Sequence, residues 1–235
     1  MENNIKVVIV DYGMGNLFSV RNACEHVGLV PQIATRPEEI LSADGVILPG
    51  VGAFGDAMAN LRKLSLDIAL RQYCLELKKP FFGICLGLQL LMEGSYEFGY
   101  NTGLSIFKGS VVHLNQENGA LTEKPRLKVP QVGWNRIYRP KVKIGNASWN
   151  DSMLTGLKDG AFMYFVHSFY VKPQEQDVIL STTLYGGTNF CSSIQRGNMF
   201  GCQFHPERSA SEGIQIYRNF KKQIEITSGK SNVAN

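Results

Sequence analysis

Phe82-Gly83-Ile84-Cys85-Leu86-Gly87-Leu88-Gln89 is the stretch on which the reading of this 235-residue chain turns. The apolar run Pro80-Phe81-Phe82-Gly83-Ile84 reads as a buried strand and Leu86 to Met92 as a helix, so Cys85 falls at the turn between them. Gly83-x-Cys85-x-Gly87 is the nucleophile-elbow pattern with sulfur in place of the serine oxygen. The glycines have a steric reason. A residue on so sharp a turn holds a strained backbone, and side chains two positions to either side would collide. The turn lifts the sulfur above the sheet edge, where open α/β folds bind ligands. It also sets the sulfur at a helix N-terminus, where aligned peptide dipoles favour a thiolate. A cysteine met alone reads as an inert core residue; the two glycines at a strand-to-helix junction favour the reactive reading.

Working outward, the first half alternates apolar strands with helical patterns. Ile5 to Val10 is rich in β-branched residues and ends at Asp11-Tyr12-Gly13. Asn16 can cap a helix running to about His26 and stopping near Gly28. Gln32-Ile33-Ala34 and Gly45-Val46-Ile47-Leu48 read as further strands, and helical patterns follow at 53–63 and 66–78. The second half predicts short strands at 106–113, 135–138, 162–166, 178–183, 190–195 and 199–204, the stretch 188–204 being a hairpin. Turn signals at Asn118-Gly119, Asp159-Gly160, Gly186-Gly187 and Arg196-Gly197-Asn198 separate them. A last helix spans about 211–226 with Ile214, Ile216, Tyr217, Phe220 and Ile224 on it, and the polar tail from Thr227 to Asn235 is expected to fray. The pattern predicts the α/β class: a mostly parallel sheet flanked by helices, with an antiparallel extension, in a single domain over 1–235.

Composition narrows the function. The chain is 44% hydrophobic and 19% charged, enough to bury a core, and its net charge of +4 comes without a dense basic block. Lys78-Lys79 and Arg139-Pro140-Lys141-Val142-Lys143 are short and lack interleaved aromatics, which argues against nucleic acid. Met1-Glu2-Asn3-Asn4 lacks the basic flank of a signal peptide, and no apolar run approaches the roughly 20 residues of a membrane span. The chain reads as cytoplasmic, with its five cysteines as free thiols. In that compartment the sequon Asn146-Ala147-Ser148 carries no meaning.

A thiol nucleophile needs a base, and four histidines are available: 26, 113, 167 and 205. His26 lies on the first helix, His113 ends a strand near a polar loop, and His167 has no carboxylate beside it. His205 stands in Gln203-Phe204-His205-Pro206-Glu207 at the end of an apolar strand. Pro206 biases it toward extended backbone, so that His205 and Glu207 can point the same way. A carboxylate beside an imidazole fixes its tautomer, which completes the logic of nucleophile, base and orienter. The amide of Leu86 can serve an oxyanion, and Pro49-Gly50-Val51-Gly52-Ala53-Phe54-Gly55 is the natural source of a second donor. The same loop matches G-x-G-x-x-G, but it follows the third strand and lacks an acidic partner in the next, which disfavours a dinucleotide. Cys202-x-x-His205 has no second ligand pair, so no metal and no cofactor are expected.

These motifs, in this order, resemble the class I, triad-type glutamine amidotransferases over nearly the whole chain. The markers are Asp11-Tyr12-Gly13-Met14-Gly15-Asn16-Leu17, the Pro49–Phe54 loop, the elbow, Val132-Gly133-Trp134-Asn135, Tyr164-Phe165-Val166-His167-Ser168 and Gln203 to Glu207. Within that family they are most similar to the branch of glutaminase subunits of imidazole glycerol phosphate synthase. The resemblance implies a flavodoxin-like fold and a glutaminase in which Cys85 attacks the glutamine amide, with His205 as base and Glu207 as its orienter. It implies an oxyanion hole from Leu86 and Val51, with Gly50 and Gly52 letting the loop turn. Gln89, Glu97, Ser168 and Phe169 are the implied substrate contacts. The implied partner is a (β/α)8-barrel synthase subunit, held as a heterodimer, which receives the ammonia.

The chain departs from the family pattern at Gln131, where a histidine is usual, at Phe169 in place of tyrosine and at Arg208 in place of lysine. Gln131 is expected in a loop facing the partner. Three readings stay open: ammonia for histidine biosynthesis, ammonia for a paralogous barrel in surface-polysaccharide synthesis, and a stand-alone cysteine hydrolase.

Overall fold

The computed structural model describes residues 5–115, 128–140 and 148–230. The expected Asn118-Gly119 turn, Lys141 to Lys143 of the basic stretch, Met1 to Asn4, Asn146-Ala147 of the sequon and the last five residues of the tail lie outside these. The first half builds β1 (Val7–Val10), α1 (Leu17–His26), β2 (Gln32–Ala34), α2 (Pro37–Leu41), β3 (Gly45–Gly50), α3 (Phe54–Lys63), α4 (Leu66–Gln72) and β4 (Phe81–Cys85). Then follow α5 (Leu86–Gln89), β5 (Met92–Ser95), β6 (Asn101–Thr102) and β7 (Phe107–His113). The second half adds β8 (Gln131–Arg136), β9 (Phe162–His167), β10 (Phe169–Pro173), β11 (Ile179–Tyr185), β12 (Thr188–Arg196), β13 (Met199–Cys202) and α6 (Ala210–Ser228).

Among the described residues, eleven strands share one sheet in the order β2-β1-β3-β4-β13-β12-β10-β7-β5-β6, with β11 paired to β12. From β2 to β13 every pairing is parallel; β13–β12, β12–β10 and β10–β7 are antiparallel. This is the expected mostly parallel sheet with an antiparallel extension. The parallel strands are apolar throughout because both faces are covered. Val8, Val10, Val46, Leu48 and Phe81 join one core cluster; Val7, Ile9, Ile47, Phe82 and Ile84 join the other. On that second face α6 buries Ile216, Tyr217, Phe220 and Ile224, and the Phe82 ring lies 5.5 Å from those of Tyr217 and Phe220. Asn16 caps α1, its side chain accepting from the Ser19 amide at 3.2 Å. No helix of the described residues is long and apolar enough to cross a membrane.

Four features differ from the sequence reading. The helix expected over Leu86–Met92 stops at Gln89, and Met92 opens β5, in register with Phe107. The run Leu88-Gln89-Leu90-Leu91-Met92 is buried throughout, so it carries no period to separate helix from strand. The 66–78 helix becomes a π turn at Tyr73–Leu77, ended by Lys78 at φ 51°. The strand expected at 135–138 is β8, shifted upstream, because it pairs with β9 from Gln131↔His167 to Arg136↔Phe162. The described part of the tail does not fray: α6 runs through Ser228, and the Lys230 ammonium pairs with Asp44 at 2.8 Å. The short elements α2, β5, β6 and β10 had no strong local signal.

The elbow glycines are explained by contact. A Cβ on Gly83 would lie 2.9 Å from the Gly87 carbonyl oxygen, and one on Gly87 would be driven into the Leu48 carbonyl oxygen of β3. Both obstacles are backbone and cannot turn aside. Gly87→Ala is therefore expected to destabilise the chain by about 3 kcal/mol or more. Gly15→Ala, whose new Cβ meets only side-chain atoms at 3.4 Å and beyond, should cost less than about 1 kcal/mol. Urea unfolding of the two variants tests this.

Candidate active site

β4 and β13 are adjacent and parallel, in register from Phe81↔Met199 to Ile84↔Cys202, so Cys85 and His205 leave the sheet side by side. Cys85 has φ 54° and ψ −108°, a conformation that costs a residue bearing a Cβ and persists where the surroundings dictate it. His205 is extended at φ −102°, ψ 94°, as Pro206 requires. Its amide donates to the Tyr164 carbonyl at 2.9 Å and its carbonyl accepts from the Ser209 hydroxyl at 2.6 Å, which fixes the backbone. Its ring Nδ1 lies 2.7 Å from Glu207 Oε1, and the Glu207 side chain is only 2% exposed. Burial alone would push the imidazole down. The Cys85 sulfur, by charge and a hydrogen bond, and then the Glu207 carboxylate outweigh burial and raise it to about 10. Sulfur, imidazole and carboxylate thus stand in sequence, with Glu207 orienting the ring from behind.

These groups open into a cavity of about 370 Å³, lined by Val51, Gly52, Cys85, Leu86, Gln89, Glu97, Ser168, Phe169, His205 and Glu207. Every expected site residue but one is in that set. The exception, Gly50, lies behind the wall: a Cβ there would collide with the Tyr12 hydroxyl and come within 2.9 Å of Leu86. The same hydroxyl donates to the Pro49 carbonyl at 2.9 Å and so ties the loop down at its base. Gly52 sits at φ 99°, in the left-handed region that only glycine enters freely. Glu97 accepts from the Phe54 amide at 2.7 Å and thereby braces the loop at the start of α3. Among the described residues no group of three or more His, Cys, Asp or Glu is placed to hold a metal ion.

The glutamine amidotransferase class-I family model matches residues 8–224. The chain belongs to the class-I glutamine amidotransferases. Among relatives of this amidotransferase are the imidazole glycerol phosphate synthase subunits HisH of Aquifex aeolicus (strain VF5) and Moorella thermoacetica (strain ATCC 39073 / JCM 9320). Both are 44% identical, covering 94% and 93% of this chain and 98% and 95% of theirs. The solved structure of PurLQS from Thermotoga maritima superposes at a TM-score of 0.65, with 18% identity, over 95% of this chain and 99% of that one. At that identity it speaks for the fold alone.

Four residues at the amidotransferase site escaped the sequence reading. Asn16, a helix cap and part of a family marker in the sequence, also lines the cavity. Gln203 belongs in the sequence only to a motif, and its buried amide faces the sulfur. His167, set aside for want of a carboxylate, lines the cavity with its Nδ1 2.9 Å from the Phe169 carbonyl and its Nε2 3.2 Å from Gln131. Gln131 is therefore not a partner-facing loop residue: it opens β8 and is 2% exposed, packed on His167. No local pattern links positions 36 residues apart. Burial drives the His167 imidazole down to about 4, opposed by its bond to the Phe169 carbonyl and reinforced by nearby His205. A neutral ring has one proton to give. The Phe169 carbonyl takes it at Nδ1; the Gln131 amide, placed with Oε1 at Nε2, satisfies that unprotonated nitrogen when its near-symmetric ends are exchanged.

Two expectations follow from this geometry. Cys85→Ala should abolish alkylation by a glutamine analogue while the unfolding midpoint moves little, and in the unsubstituted chain the label should map to Cys85. Labelling of Cys24, Cys74, Cys191 or Cys202, all buried, would contradict the site. For stability, His167 is depressed in the fold, so the unfolded chain binds its proton first as pH falls below 6.5. Stability contributed by its burial is then lost between about pH 6.5 and 4, by about 3 kcal/mol. His205 is raised, so its contribution is present below pH 6.5 and lost toward 10. His167→Asn should flatten the acid side of the stability curve and leave the alkaline side unchanged, as measured by denaturant unfolding across pH.

Proposed function

We propose that this chain is the glutaminase subunit of imidazole glycerol phosphate synthase. It hydrolyses glutamine to glutamate and ammonia and passes the ammonia to a (β/α)8-barrel synthase subunit, which makes imidazole glycerol phosphate and AICAR in histidine biosynthesis. The observation that carries this reading is 44% identity with imidazole glycerol phosphate synthase subunits HisH over 95–98% of their length. The five cysteines, all free, suit a cytoplasmic setting. We read residues 1–235 as one domain.

The proposed steps give each residue the role that the resemblance implies, and the shared cavity supports them. The Cys85 thiol proton passes to the His205 ring, and the sulfur attacks the side-chain amide carbon of glutamine. The carbonyl oxygen takes up negative charge and accepts from the amides of Leu86 and Val51. His205, held by Glu207, delivers the proton to the amide nitrogen; the C–N bond breaks, ammonia leaves and a glutamyl thioester remains. Water, giving a proton to His205, adds to the thioester. The C–S bond breaks, releasing glutamate and restoring the sulfur. Gln89, Glu97 and the backbone at Ser168 and Phe169 hold the amino-acid end of the substrate.

An exposed apolar strand pair lies beside the cavity. The two-stranded β8–β9 sheet exposes Val132, Trp134, Phe162 and Val166, at 60%, 53%, 45% and 36%. Val166 also lines the cavity, and Arg208 stacks on Tyr164 at 4.7 Å. An apolar patch of this kind at the mouth of a site supports docking of a second subunit. Because Gln131 is buried, its departure from the usual histidine gives no support to a different barrel.

Purified alone, the chain is expected to release ammonia from glutamine slowly. Addition of the barrel subunit with its ligand bound should raise turnover by about 10²–10³, the worth of one oxyanion donor. Equal turnover with and without the liganded partner would overturn the coupling. The pathway is tested by complementing a histidine auxotroph that lacks its glutaminase subunit. Growth with this chain and its genomic barrel neighbour is the expected result. Absence of growth, with normal activity of the purified pair, would point to the polysaccharide pathway.

A further inference from the structure

With α5 only four residues long, the aligned dipoles expected beneath Cys85 amount to a single turn and contribute little. The group that meets the sulfur from inside the core is Gln203. Its side chain is fully buried just past β13, and its Nε2 lies 3.6 Å from Cys85 Sγ. Its Oε1 accepts from Gln89 Nε2 at 3.1 Å, and that nitrogen also donates to the Phe169 carbonyl at 3.0 Å. The two ends of a side-chain amide are alike in shape, but this sequence of partners orients both. A peptide carbonyl can only accept, so Gln89 turns its NH2 toward Phe169. The same nitrogen meets Gln203, which must answer with its oxygen. Gln203 is left with its NH2 toward the sulfur.

We propose that Gln203 is a catalytic hydrogen-bond donor to the Cys85 sulfur, aligned by Gln89 as a positioning residue. This deepens the glutaminase reading and rests on it. The sulfur carries negative charge twice per turnover: as the thiolate that attacks the amide carbon, and as the thiolate expelled when water opens the thioester. A hydrogen bond to an ionised acceptor is roughly twice as strong as one between neutral groups. The thioester sulfur between those moments is a weak acceptor. The Gln203 amide therefore favours the charged states over the acylated one, and at zero exposure no water replaces it. The weaker neighbour on the other side, the Val166 carbonyl at 3.9 Å, can only accept and offers a thiolate nothing.

The test replaces Gln203 with methionine, which keeps length and volume and removes the donor while Gln89 keeps its bond to Phe169. Around the sulfur the charged and titratable groups are His205, Glu207 and Arg208 after β13, Cys202 on it, His167 on β9, Glu97 after β5 and Tyr12 after β1. All are retained in the variant. Gln203→Met is expected to slow alkylation of Cys85 by iodoacetamide about tenfold at pH 7, with the deficit shrinking toward pH 9.5. In the complex with the barrel subunit, kcat should fall by about the same factor with KM within about twofold. Undiminished alkylation at pH 7 in a variant with an unchanged unfolding midpoint overturns the proposal. If Gln203→Met fails to fold, the ¹⁵N side-chain amide resonance of Gln203 in the unsubstituted chain gives the answer. It should move when Cys85 is alkylated, and a resonance that stays put overturns the proposal. Failure of the glutaminase reading has a different signature: alkylation that depends on Gln203, with no ammonia from glutamine in any complex.

Discussion

The approach of Gly87 to the Leu48 carbonyl is the constraint on which the rest depends. β3 and β4 are paired up to Gly50↔Cys85, so the chain leaving β4 must turn within one residue of its neighbour's end. Only a backbone without a Cβ fits against that carbonyl, and the turn it permits puts Cys85 at φ 54°. Strain at the cysteine is thus imposed by the ladder on one side and close packing on the other. The sulfur's position follows from sheet registry, which is why its reach to His205, just past the end of β13 on the opposite side of β4, is fixed without a flexible element.

Electrostatics at the site are set by burial working in two senses. His205 and His167 are both enclosed, yet one is raised to about 10 and the other lowered to about 4. The difference is the company each keeps: a sulfur and a carboxylate for His205, a carbonyl and an amide for His167. A second imidazolium beside the first would repel it, so the neutral partners around His167 protect the proton held by His205. Glutamine at position 131 is compatible with this where a charged side chain would not be.

Legibility followed locality. Gly83-x-Cys85-x-Gly87 and His205-Pro206-Glu207 could be read because each is a contiguous device whose residue types answer to their immediate neighbours. The parallel half of the sheet could be read because strands buried on both faces are apolar throughout. Leu88 to Met92 misled for the same reason: a run buried in every position has no period, and its change from helix to strand is set by pairing of Met92 with Phe107. Gln131 and His167, or Gln203 and Cys85, meet only through the fold, across 36 and 118 residues. No spacing rule reaches that far. The pattern of β8 was offset because its register comes from β9, a partner nearly thirty residues downstream.

The placement of β13 between β4 and β12 has a consequence for the newborn protein. The ribosome delivers Cys85 more than a hundred residues ahead of Gln203, His205 and Glu207. A nascent chain can assemble β1 to β4 and set the thiol at its strand tip with no base, carboxylate or amide beside it. All three arrive together on a five-residue stretch when the last strand is inserted into the waiting gap. Closure of the sheet and arming of the thiol are one event, and the order of translation acts as a safety catch on a nucleophile that would otherwise be loose in the cell.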